Sequence, residues 1–307
     1  MQSLKVNFDI QLDQLEPNAW LGEIDDMCEE LGFFEQLGER HFAAFIEAGN
    51  TLLVTFEDIN TIQDFLPGSE PRGFSFTRDE GWSHLALLAK DPSWFREKEI
   101  FDFFDRMTDD GFFDDFETVI FHGANGGAYA AAAYSVAAPG AHVIALRPQA
   151  TLDPRVAGWD HRYRDMRRLD FHSRYGYAPD MIEGAGQVYV AYDPLQRLDA
   201  SHAMLFKKPN VTFLPCPLIG NSLDQAFDRM AIHDKLIHLV KDGNLNSSRF
   251  SQLLRARRYD QTYARKLVSR LIQKRHKRLA RHICNYMLRR GENPFFTQML
   301  QKLDRGA

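Results

Sequence analysis

A chain of 307 residues, 44% hydrophobic and 26% charged, is long enough for one large α/β domain with additions. No apolar run approaches the roughly 20 residues a membrane-crossing helix needs. The formal net charge of −5 hides an asymmetry, because from Arg249 onward 16 Lys and Arg face three acids, Asp260, Glu292 and Asp304. An acidic body carries a basic tail.

The first 40 residues read as a strand or two followed by a short acidic amphipathic helix around Trp20–Leu37. The opening MQSLKVNFDIQLDQLEP has no basic-then-apolar signal pattern. Cys28, Cys216 and Cys284 are scattered without metal-ligand spacing, so the expectation is a reducing, cytoplasmic setting with no disulfide framework. Two strand-like runs, His41–Glu47 and Thr51–Phe56, flank Ala48-Gly49-Asn50 and predict a hairpin. A third run, Ser83–Ala89, precedes Asp91-Pro92 and a helix from about Ser93 to Met107. The acids and phenylalanines of 102–117 predict a solvated face over an aromatic underside.

Residues 118–148, TVIFHGANGGAYAAAAYSVAAPGAHVIALRP, read as buried strand, tight turn, small-residue helix and second buried strand. The turn Gly123-Ala124-Asn125-Gly126-Gly127 has the frame of a G-x-S-x-G nucleophile elbow with asparagine at its centre. Such an apex takes a strained positive-φ conformation, so its neighbours must be small, and Asn is among the non-Gly residues that tolerate this. A carboxamide cannot attack a carbonyl. A phosphate-binding glycine loop, or any tight β-to-α turn, would satisfy the same glycines.

Residues 149–186 are irregular and rich in Arg, His and Tyr. A strand at Gln187–Tyr192 ends at Asp193-Pro194, a helix covers Asp199–Phe206, and a last strand is Val211–Pro215. Everything after Leu223 has helical periodicity. Alternating strands and helices across 41–240 predict a doubly wound, mostly parallel sheet, with ligands held at the carboxyl ends of the strands. Those ends carry Phe56-Glu57, His122–Gly127, Arg147, Asp193 and Asn221.

VTFED, the glycine turn with its alanine helix, VIALRPQATLDP, YDP…LDASHAMLF and PLIGNSLD resemble the α/β-hydrolase superfamily. More narrowly, they resemble bacterial hydrolase-like proteins linked to polysaccharide biosynthesis. The resemblance implies an α/β-hydrolase-type domain over 1–240, with a lid-like insertion at 149–186 and a basic helical extension over 241–307. It also implies triad positions in chain order: Asn125 for the nucleophile, Asp193 or Asp199 for the acid, Asn221 for the histidine. Ser and His positions are thus both Asn. The oxyanion hole would be Gly126 N–H with a group from the Phe56–Glu57 turn. Such relatives are sometimes labelled phosphoadenosine phosphosulfate reductases or sulfotransferases, yet neither the Ser-Gly-Gly loop nor the C-terminal cysteine motif of that class is here.

The leading expectation is a catalytically degenerate hydrolase-like protein that binds a small polar or anionic ligand in glycan assembly. Its ligand residues would be Phe56, Glu57, His122, Gly126, Arg147 and His202. No cofactor is expected, and no metal, since His233 and His238 lack i, i+4 spacing. The alternatives are an active hydrolase or acyltransferase with its base relocated to His122 or His202, and an interaction protein recruiting an acidic partner. The lid arginines Arg155, Arg162, Arg164, Arg167, Arg168 and Arg174 suit an anionic ligand, or pair with the acids around them. For the basic tail, packing on the protein itself or in a homodimer is favoured over nucleic acid, with an anionic membrane surface as a third option.

Overall fold

The computed structural model describes residues 11–305. Its backbone divides into two compact units, 1–215 and 216–307. The division falls where the sheet ends, whereas the sequence boundary at 240 follows the extent of the hydrolase resemblance.

The first unit is built on eight strands: β1 (Gly32–Leu37), β2 (His41–Ile46), β3 (Thr51–Asp58), β4 (Ser83–Ala89), β5 (Thr118–Ala124), β6 (His142–Leu146), β7 (Val188–Tyr192) and β8 (Val211–Pro215). They form one sheet in the order β1-β2-β4-β3-β5-β6-β7-β8, antiparallel at β1–β2 and β2–β4 and parallel elsewhere. The central strands are near-continuous Val, Ile, Leu and Ala because both of their faces are covered. Helices α1 (Pro17–Glu29), α2 (Ile59–Phe65), α3 (Gly73–Glu80), α4 (Lys98–Asp109), α5 (Gly126–Tyr134), α6 (Pro154–Ala157), α7 (Ala178–Met181) and α8 (Arg197–Leu205) complete the unit. The expected mostly parallel α/β sheet of α/β-hydrolase type, with a helical C-terminal extension, is the architecture observed.

Two expectations are corrected. The first helix stops at Glu29, and Phe33, Phe34 and their neighbours form edge strand β1 instead of a last helical turn. Strands before it would fall partly in residues 1–10, outside the described chain. The hairpin expected across Ala48-Gly49-Asn50 does not form, because β4 lies between β2 and β3. Ser83 Oγ accepts from Ala48 N–H at 2.9 Å and donates to Gly49 O at 2.7 Å, so the apparent hairpin turn is clamped to the start of β4. The real hairpin joins β1 to β2.

The larger core lies between the sheet and α4, α5 and the segment 150–185. Every residue of α5 is buried, and its alanines bring the helix close to the sheet. Phe56 is wedged there, 5.8 Å from the Tyr134 ring, 5.2 Å from Phe95 and 6.0 Å from Phe104. As expected for 102–117, Phe103, Phe104 and Phe113 point inward while Asp102 is exposed. The opposite sheet face packs α1 and Phe74 against Phe42, Ala44, Ala86 and Leu88.

The second unit is helical: α9 (Leu223–Arg229), α10 (His233–Lys241), α11 (Ser247–Leu253), α12 (Gln261–Gln273), α13 (Lys277–Leu288) and α14 (Pro294–Arg305). Helices α12 to α14 enclose their own core of Ala264, Val268, Ala280, Cys284, Met287, Phe296 and Leu303.

Candidate functional site

The turn between β5 and α5 has the geometry its glycines predict. Asn125 sits at φ 55°, ψ −117°, a strained conformation for a residue with a side chain. Its N–H donates to Leu146 O at 2.9 Å, which pins the apex to the end of β6. The flanking glycines are forced. A Cβ on Gly123 would stand 2.2 Å from Gly127 O, one on Gly126 would stand 2.1 Å from Ser93 O, and one on Gly127 would stand 2.3 Å from Phe56 O. Strand, strained apex and close-packed helix give the turn the sharp strand-to-helix form its glycines predict.

At the apex the carboxamide is held by a guanidinium. Arg147, at the end of β6 and itself at φ 59°, donates from Nη1 to Asn125 Oδ1 at 2.6 Å, from Nε to Asp199 Oδ2 at 3.0 Å and from Nη2 to the Tyr163 hydroxyl at 2.8 Å. Because Oδ1 accepts from Arg147, the Asn125 amide is fixed with Nδ2 turned away from the guanidinium. Arg162 Nη1 donates to the other Asp199 oxygen at 2.5 Å and also pairs with Asp160. Asp199 and Asp160 each have about 1% of their surface exposed, so their charges depend on these arginines.

The network ends at His202, which is fully buried. Its Nδ1 accepts from Ala150 N–H at 3.2 Å and its Nε2 lies 3.1 Å from Asp160 Oδ2. One nitrogen accepts and the other donates, which is the neutral imidazole with no lone pair left for a substrate proton. Burial alone would raise the Asp160 carboxyl, but hydrogen bonds from His202 and Arg162 outweigh it and hold the group well below the ordinary carboxylate range.

The other expected residues are placed as follows. Asp193 is buried at the end of β7, where its Oδ1 accepts from Leu195 N–H at 2.9 Å. The carboxylate that joins the elbow network is Asp199, the alternative acid position. His122 is buried on β5, opposite Thr55 of β3. Strand alternation puts it on the face away from α5, because its neighbour Phe121 packs into the α5 core. Glu57 lies on that same far face. Its Oε2 accepts from Thr55 Oγ1 at 2.7 Å, and its oxygens accept from Arg72 N–H at 3.2 and 3.3 Å. Burial pushes its carboxyl up, against the pull of the Arg72 charge. Phe56 is a core wedge. Asn221 belongs to the second unit, where it is exposed ahead of α9.

Gly126 opens α5, so its N–H and that of Gly127 find no carbonyl within the helix. Beside them stands Trp94, from the loop after β4. Its ring is 3.3 Å from where a Gly126 Cβ would be, and 4.8 Å from the Tyr163 ring. Trp94 Nε1 is buried without a hydrogen-bond partner, and so is Gln149 Oε1, two residues beyond Arg147. Sequence reasoning passed over Trp94, Tyr163, Asp160 and also Arg96. The Arg96 guanidinium donates to Asp170 O at 2.7 Å and Arg174 O at 2.9 Å, tying this loop to the segment 170–174. The arginines of 149–186 are mostly engaged within the protein: Arg155 pairs with Asp153, Arg167 donates to three carbonyls, and Arg174 pairs with Asp105. Among the described residues, no cluster of His, Cys, Asp and Glu could hold a metal ion, and no helix is long and apolar enough to cross a membrane.

No protein-family model matches the sequence, and no curated protein matches it. Solved structures similar to this chain include the capsule O-acetyltransferase of Neisseria meningitidis serogroup A, at 12% identity and TM-score 0.41, covering 66% of this chain and 92% of that one. A second is MGS-MChE2, an alpha/beta hydrolase enzyme from a lagoon-sediment metagenome, at 10% identity and TM-score 0.43, covering 69% and 99%. A third is an esterase from the archaeon Pyrobaculum calidifontis, at 11% identity and TM-score 0.43, covering 78% and 93%. At such identities they carry no residue-level information about this site.

Proposed function

We propose that the elbow is a binding site and not a hydrolytic one, and that it takes an oxygen acceptor, a carboxylate or a carbonyl, of a small polar ligand. The observation that carries the reading is the Arg147–Asn125 contact at 2.6 Å. With Oδ1 taken by Arg147, the Asn125 amide keeps Nδ2–H to donate, and the N–H groups of Gly126 and Gly127 follow it at the start of α5. Where a hydrolase needs a lone pair on a hydroxyl next to a base, this apex gathers donors. The buried, unpartnered Trp94 Nε1–H beside Gly126 adds to the same polarity. His202 has both nitrogens engaged, which argues against a relocated base there.

The sequence resemblance to hydrolase-like proteins linked to polysaccharide biosynthesis makes sugar acids the first ligands to try. Isothermal titration with sodium glucuronate tests this against Asn125→Asp, which keeps an acceptor for Arg147 but turns a carboxylate toward the ligand. Saturable binding by the wild-type protein, weakened at least tenfold in the variant, is expected. Turnover of acyl esters by the wild-type protein, abolished by His202→Ala, would overturn the reading.

A further inference from the structure

We infer that the hairpin of α12 and α13 is a docking surface for an anionic phospholipid bilayer. Residues 261–305 hold 12 Lys and Arg against two acids, Glu292 and Asp304. The charge concentrates where the helices meet. Lys274, Arg275, His276, Lys277 and Arg278 are consecutive and all exposed, and Arg281 and His282 continue the patch along α13.

Arg281 is tied to Asp304 and to Leu303 O, but the backbone itself does not favour a cation at 275 or 278. Arg275 occupies φ 60°, the left-handed position after a helix where glycine is the less strained residue. Arg278 stands in the first turn of α13, where positive charge opposes the helix dipole. The inward side of α13 is satisfied by Ala280, Cys284 and Met287 in the hairpin's own core.

The outward face combines that charge with apolar groups. Leu279 is 55% exposed and Tyr286 is 38% exposed, with His282 between them at helical spacing. Arg278, Leu279, Arg281, His282 and Asn285 line a shallow groove of about 550 Å³. The guanidinium of Arg290 lies 4.3 Å from the ring of Tyr259, itself 57% exposed, and 5.9 Å from that of Tyr286. A phosphate ladder of nucleic acid would satisfy the arginines and leave the leucine in water. A bilayer surface offers headgroup phosphates to the cations and the acyl boundary to Leu279 and the tyrosines. This surface is independent of the elbow.

Vesicle co-sedimentation of the full chain tests the inference, comparing pure phosphatidylcholine with a mixture containing about one-third phosphatidylglycerol. With a net charge of −5, the protein binds anionic vesicles only if the hairpin is presented locally. We expect at least tenfold preference for the anionic vesicles, weakening as salt rises. The double variant Arg275→Glu with Arg278→Glu should lose at least about 25-fold, at roughly fivefold per cation removed. Leu279→Ala should lose about three- to tenfold with charge unchanged, and Lys98→Glu, on the exposed face of α4 in the first unit, should lose nothing. Circular dichroism checks that each variant is folded. Equal binding to both vesicle types, no binding to either, an unaffected Leu279→Ala, or tighter binding to a DNA duplex than to vesicles would each overturn the inference.

Discussion

Arg147→Met probes the hub of the elbow network most severely. Methionine fills similar space but removes the hydrogen bonds to Asn125, Asp199 and Tyr163. It leaves the buried Asp199 carboxylate with Arg162 as its remaining cation. Breaking a buried pair by removing one partner costs about 3–5 kcal/mol. Because Arg162 still holds Asp199 Oδ1 at 2.5 Å, the low end applies, about 3 kcal/mol. For a unit of this size that is a fall in melting temperature of about 6–12 °C. Neutralising the stranded charge should recover part of the loss, so Arg147→Met combined with Asp199→Asn should be less damaging than the sum of the two. Urea unfolding of the two single variants and the double would show a coupling of at least about 1 kcal/mol. A single variant within 1 kcal/mol of wild type, or strict additivity, would refute the claim that Arg147 and Asp199 form one buried unit.

The elbow's glycines give a paired prediction. Gly126→Ala must push a methyl to 2.1 Å from the Ser93 carbonyl, which is backbone and cannot swing aside, so soluble yield or stability should collapse by more than about 3 kcal/mol. Gly184→Ala, with nothing within 4 Å, should match wild type in the same thermal melt. Acid sensitivity should come from buried histidines. Burial lowers His84 to about 3, and burial with the Arg40 charge lowers His41 to about 4. The unfolded chain takes up these protons near pH 6.5 while the folded one does not, so stability is full above that pH and falls as pH drops toward 3. His84→Gln should flatten this slope by up to about 1.4 kcal/mol per pH unit in denaturant titrations, and an unchanged slope would contradict the burial argument.

Much of the fold was legible because its determinants are local. The apolar runs gave β4 residue for residue, and the glycine spacing foretold the strained apex. What escaped depends on partners distant in sequence. Ala48-Gly49-Asn50 has hairpin composition, but nothing near it announces that β4, more than 30 residues on, will insert between β2 and β3. Asn125 could be read as a lost nucleophile, yet its orientation is set by Arg147, 22 residues away and in a backbone conformation no pattern predicts. The sequence favoured Asp193 for the acid position, with Asp199 as its alternative. Only packing shows Asp193 capping its own turn while Asp199 holds the guanidinium. Trp94 carried no signal, because the sequence put it at the start of a helix that begins only at Lys98.

The donor-lined apex is tested most directly by amide chemical shifts. Titrating sodium glucuronate into ¹⁵N-labelled protein should move the Gly126 and Gly127 N–H resonances saturably in the wild type, and only at ligand concentrations at least tenfold higher in Asn125→Asp. Unmoved Gly126 and Gly127 amides in the wild type, or a covalent fluorophosphonate adduct on any serine of the protein, would contradict it.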